Sequence, residues 1–149
     1  MSKKELKPVA VFGSTGFTTD GGYYVTLTNK TSAASVKGTI VMAAAGTDNA
    51  VDIATANTPF SLGVIYESGV ADGSPVKVVV SGRAQVLLRD GSGATRGYWC
   101  TISNLTDGRM IQSAALPLLV ADYAAGIGIS LQDAAADVNV LAWVMLQFN

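Results

Sequence analysis

The stretch "VAVFGSTGFTTDGG", Val9 to Gly22, comes closest in residue types and spacing to a chemical site. An apolar run opens into glycines, with Gly13 and Gly16 placed as in a turn that wraps a pyrophosphate. Such a turn needs a third glycine and then a helix whose N-terminus faces the phosphates. Thr19 stands at the third position, and the residues that follow are "TTDGGYYVTLT". Two glycines followed by Tyr-Tyr-Val-Thr oppose a helix and favour a strand. The loop therefore reads as supple backbone, and no cofactor is expected.

Paired carboxylates could run acid–base chemistry without other help. The acids are Glu5, Asp20, Asp48, Asp52, Glu67, Asp72, Asp90, Asp107, Asp122, Asp133 and Asp137. Most sit in turn contexts such as "TDN", "ADG", "RDG" and "TDG", where an aspartate bonds its own backbone. None has the spacing of a calcium loop. Cys100, in "GYWCTI", is the sole cysteine and lies mid-strand with no base beside it. The chain has no histidine, which removes Ser-His and Cys-His nucleophiles and the commonest metal ligand. One cysteine also excludes an internal disulfide and a multi-cysteine zinc site. Arg83, Arg89, Arg96 and Arg109 are spread among acids and turns, so solvated or ion-paired roles are expected. No catalytic, cofactor or metal residue is assigned, and the chain is not expected to be an enzyme.

Composition narrows the classes further. A chain of 149 residues is long enough for one domain with a real core. Charged residues make up 14%, apolar ones 49%, and the net charge is −1. That excludes a disordered chain and an electrostatic nucleic-acid binder. Ordinary soluble domains carry about 25% charged residues, so part of this surface is expected to lie against a partner. The opening "MSKKELKP" has a charged head without an apolar stretch behind it, so no secretory leader is expected. The most apolar window, Ala114 to Leu131, contains Pro117, Asp122, Gly126 and Gly128. It reads as loop and strand, and no membrane partner is expected.

The elements that would position these residues are strands. Residues 1–22 read as an extended N-terminal arm with one short strand, Val9 to Phe12, and 23–149 as a β domain. Lys3, Lys4 and Lys7 make the arm basic, and Pro8 blocks a helix there. Strand-like runs follow at Tyr23–Asn29, Gly38–Met42 and Ser61–Glu67. From Val76 to Arg89 apolar and polar residues alternate, with Gly82 marking a bend or bulge in one long strand. No window carries a capped 3.6-residue period. The fold class is all-β, a small barrel or sandwich.

Two halves echo one another, with pseudo-repeats expected at 37–90 and 96–149. "GTIVMAAAGTDN" from Gly38 matches "GYWCTISNLTDG" from Gly97, bringing Thr47 and Asp48 onto Thr106 and Asp107. Gly63 and Asp72 align with Gly128 and Asp137 at a longer offset, which requires an insertion near "LPLLVADYAAG". A one-residue deletion then sets Val76 on Val140 and Val80 on Val144. In the last strand Val138, Val140, Ala142, Val144, Leu146 and Phe148 form one apolar face. Leu141, Trp143 and Met145 form the other, fenced by Asn139 and Gln147. An apolar centre with a polar rim suits a subunit interface; burial in the chain's own core suits the pattern too.

The run "KGTIVMAAAGTDNAVDIATANTPFSLGVIYESGVADGSPVKVVVSGRAQVLL" resembles the capsid cement, or head decoration, proteins of tailed bacteriophages. The closing "GIGISLQDAAADVNVLAWVMLQF" is similar to their last strand. The pattern is carried by Gly38, Val41, Leu62, Gly63, Val64, Ala71, Asp72, Gly73, Val76, Val78, Gly82, Ala84 and Val86. The arm lies outside it. The resemblance implies a β-barrel or β-sandwich that forms homotrimers on the outer capsid surface. There it would bridge subunits of the major capsid protein, after synthesis in the bacterial host cytoplasm. It also implies that the arm, through Lys3, Lys4, Lys7, Val9, Val11 and Phe12, contacts the capsid. The alternatives are another virion or tail-associated β domain, or a carbohydrate-binding module built on Tyr23, Tyr24, Tyr98 and Trp99.

Overall fold

The computed structural model describes residues 14–113 and 120–148, and the chain is all-β as expected. Its strands are β1 (Thr15–Phe17), β2 (Gly22–Asn29), β3 (Ile40–Ala43), β4 (Ala50–Ile53) and β5 (Ser61–Ile65). After these come β6 (Pro75–Leu87), β7 (Trp99–Ile102), β8 (Met110–Gln112), β9 (Gly126–Ser130) and β10 (Leu141–Leu146). A one-turn helix, α1 (Val120–Ala124), precedes β9.

The pairings close a five-stranded ring in the order β2, β4, β3, β5, β6 and back to β2. Within it only β2 and β4 run parallel. A second ring repeats that plan through β6, β10, β9, β7 and β8, and a parallel bridge from Leu88 to Met110 closes it. Strand β6 belongs to both rings. Its first half pairs with β2, from Thr28–Pro75 to Gly22–Gly82, and its second half pairs with β10, from Gly82–Leu146 to Leu87–Leu141. Gly82, where the two halves meet, has φ +82°, and a Cβ there would lie 2.5 Å from the Gly21 carbonyl oxygen. Only glycine fits both demands, and the bend read from the sequence at this position is present.

The two rings correspond residue by residue. Ile40 pairs with Val64 as Trp99 pairs with Ile129, and Val41 with Gly63 as Cys100 with Gly128. Both ladders then shift register at the next residue. Leu27 opposite Val76 corresponds to Val86 opposite Ala142. On these pairings Val78 matches Val144, two residues from the alignment of Val76 with Val140 and Val80 with Val144 that the sequence suggests. A two-residue slip leaves every side chain on the same face, so alternation alone cannot detect it. The unit that repeats runs from β2 into the first half of β6, then from the second half of β6 through β10.

Val41, Val51, Ile65, Val76 and Val78 fill the first ring. The second holds Ala84, Val86, Leu88, Cys100, Ile102, Met110, Ile127, Ala142, Val144 and Leu146. Ile40, Val64 and Val79 alternate with the first ring's interior residues and so face outward from it. They join the second ring's cluster and weld the two units together.

Three expectations change. Ser14 to Gly22 is not supple backbone but a hairpin: Thr15–Phe17 pairs with Tyr23–Val25, and the Thr18 hydroxyl accepts from the Asp20 and Gly22 amides across the turn. Glycine at 16 lets the Tyr24 ring lie against the β1 backbone. Val138 does not extend the apolar face of the last strand. It lies in a turn beside Asn139, whose φ is +54°, and is 61% exposed. The helix α1 stands where only loop and strand are expected. The arm residues Lys3, Lys4, Lys7, Val9, Val11 and Phe12 lie outside the described residues.

Candidate functional site

Cys100 sits inside the second ring, fully buried, and its Sγ approaches the Tyr98 carbonyl at 3.7 Å. Burial pushes the thiol up to about 11, against a smaller opposing effect of a backbone hydrogen bond at Ser130. A protonated, enclosed sulfur is a packing group at neutral pH and no nucleophile.

The aspartates serve as backbone acceptors, but several reach across the fold instead of closing their own turns. Asp72 accepts from the Ser32 amide, Asp107 from Ala56, Asp133 from Arg96 and Asp90 from Asn139, all at 2.8–2.9 Å. Asp90 also receives Arg109 at 2.8 Å, while Arg109 donates to the Leu88 carbonyl and to Asn139. These carboxylates staple loops. Among the described residues no three metal-ligating side chains gather, and no helix is long and apolar enough to cross a membrane.

The expected interface residues lie on the outward face of β10. Leu141 and Trp143 are half-buried and Met145 is 39% exposed. The Arg83 guanidinium lies over the Trp143 ring, 4.5 Å from its centre, while Arg83 Nε donates to the Asp20 carbonyl at 2.8 Å. Met145 pairs with Ile129 of β9, and Leu131 donates its amide to the Trp143 carbonyl. Trp143, Met145, Ile129 and Leu131 thus form one apolar strip across β10 and β9, with Arg83 along its β6 border.

The first ring carries the counterpart with its members exchanged. Lys77 Nζ lies 5.2 Å from the centre of the Tyr24 ring. Tyr24 corresponds to Arg83 and Lys77 to Trp143, so the aromatic and the cation have traded strands. A search for repeated residue types cannot find this pair, because neither position keeps its type.

The aromatic platform needed for a carbohydrate module does not assemble. Tyr23 and Tyr24 are successive residues of β2 and point to opposite faces. Trp99 is buried against α1, its Nε1 donating to the Asp122 carbonyl at 3.3 Å and its ring tilted on Tyr123.

Where the units meet, the β7–β8 loop lies on β3 and the chain after β4. The Gly108 amide donates to Ala54, its carbonyl accepts from Ile40, and Asn57 donates to the Ser103 carbonyl. A Cβ on Gly108 would stand 2.7 Å from Ile53 Cγ2 and 2.9 Å from Thr39 Cγ2. This close backbone approach is a joint between units, and the sequence offers only "TDG" to mark it.

No protein-family model matches this chain, and no curated protein matches it. Among solved structures it is similar to the head fiber gp8.5 N base of bacteriophage phi29, at 16% identity and a TM-score of 0.54. The match covers 85% of this chain and 94% of that one. At this identity the likeness is one of fold.

Proposed function

We propose that the chain is a non-enzymatic structural protein of a tailed-phage virion, attached to the outside of the head. The observation that carries the reading is the fold likeness to a phage head-fibre base along nearly all of that base's length. The cement-type pattern from Gly38 to Val86 supports the same reading from sequence. In this role the protein bridges neighbouring major capsid protein subunits. It forms trimers through Leu141, Trp143 and Met145, with Met1 to Pro8 as a basic tether carrying Lys3, Lys4 and Lys7.

Burying the β10 strip in a trimer would stabilise each subunit by several kcal/mol, at roughly 25 cal/mol per Å² of apolar area. The test is co-sedimentation with purified capsids, together with the mass in solution. Intact protein is expected to sediment with capsids and to have three times the chain mass. Trp143→Ala should lower that mass, and removal of Met1 to Pro8 should weaken sedimentation without unfolding the β domain. Failure to bind capsids of any tested phage head would sink the attachment role; a monomeric mass would sink the trimer alone.

A further inference from the structure

The sheet begins at β1, whose second edge has no strand beside it among the described residues. The direction of its backbone groups follows from the ladder with β2. Ser14 O accepts from the Thr26 amide and the Thr18 amide donates to Gly22 O, both at 2.8 Å. Bonded residues alternate along an antiparallel pair, so Ser14, Gly16 and Thr18 direct their groups to β2. The N–H and C=O groups of Thr15 and Phe17 therefore point out from the edge. Phe17 is 84% exposed, with its ring edge-on to Tyr23 at 5.5 Å. An open edge of this kind is a template for another strand.

We propose that the occupant of this edge is Val9–Phe12 of the same chain, a segment outside the described residues. The apolar run Val-Ala-Val-Phe is joined to Thr15 by two residues, Gly13 and Ser14. A two-residue loop with glycine first is a favoured hairpin connection. It makes its flanking residues, Phe12 and Thr15, a hydrogen-bonded pair, and the next such pair is Ala10 with Phe17. Thr15 and Phe17 are the residues whose groups point outward, so loop length and edge agree in parity. Val11 then falls opposite Gly16, beside the Tyr24 ring, and Ala10 falls opposite Phe17 on the face with Tyr23. The apolar part of the arm is used within the subunit, and only Met1 to Pro8 is left to reach outward. This inference does not depend on capsid binding.

Amide hydrogen exchange on the full chain tests it. Thr15 and Phe17 should exchange at least about 100-fold more slowly than unprotected amides. Removing residues 1–13 should restore their free rates, while the Thr18 and Thr26 amides stay protected and report an intact hairpin. Fast exchange at Thr15 and Phe17 in the full chain overturns the proposal. The double variant Ala10→Cys with Phe17→Cys, oxidised, should give a crosslink within one chain. A crosslink between chains would assign the edge to a second copy and overturn the same-chain occupant.

Discussion

The two rings follow one pairing plan but finish their surfaces differently. Inside, Val41 becomes Cys100, Val78 becomes Val144, and Gly63 becomes Gly128 at the same ladder shift, while Ile65 gives way to the buried Ser130. Outside, Tyr24 and Lys77 become Arg83 and Trp143. The loop that seats the second unit on the first has Gly108, and its counterpart is Asn49, likewise at positive φ but on an exposed loop. Ile40 is covered by the second unit, whereas its counterpart Trp99 is covered by α1. Ladder parity and close backbone approach constrain the interior; outer faces follow whatever each one meets.

Ways to break the comparison begin with the paired glycines. A Cβ on Gly128 would meet the Met145 carbonyl oxygen at 2.0 Å, and one on Gly63 would meet Val79 O at 2.8 Å. Gly128→Ala should cost about 3 kcal/mol or more, and Gly63→Ala about 2, in urea unfolding. Equal costs would show that the two ladders are under the same constraint after all.

The next test is pH. The folded-state Cys100 thiol titrates near 11, above the ordinary value of about 8.5. The folded state therefore holds the proton longer, and stability should fall as pH rises from about 9 to 11, by up to about 3 kcal/mol. Cys100→Val, which copies Val41, should leave stability at neutral pH little changed and remove that fall. An unchanged slope would assign it to other groups.

At the joint, Gly108→Asn should cost about 1–3 kcal/mol because its side chain meets Ile53 and Thr39. The reciprocal Asn49→Gly should stay within about 0.5 kcal/mol, as for most surface changes. Smallest are the cation–aromatic pairs. Arg83→Ala and Lys77→Ala should each cost about 0.5–1 kcal/mol. A much larger loss at Arg83 would mean that its hydrogen bond to Asp20 dominates.

The alternation of Val76–Arg89, the aromatic and β-branched Tyr23–Asn29 and the bend at Gly82 made most strands readable. Ring closure was not, because the parallel contacts β2–β4 and Leu88–Met110 join distant segments without a local pattern. The hairpin at Ser14–Gly22 was masked by its glycines, which suit a tight turn as well as a loose one. Five residues of α1 are too few to show a period. The β10 strip was legible from Leu141, Trp143 and Met145, but its extension over β9 and the guard by Arg83 depend on register.

The shared strand has a mechanical consequence. The boundary between the two units is not a linker but Gly82, in the middle of thirteen hydrogen-bonded residues. A protease finds no joint there, and no single cut leaves both rings with all their strands, because β6 can stay with only one of them. A pull applied to one barrel passes through covalent backbone into the other, so the pair bears load as one body.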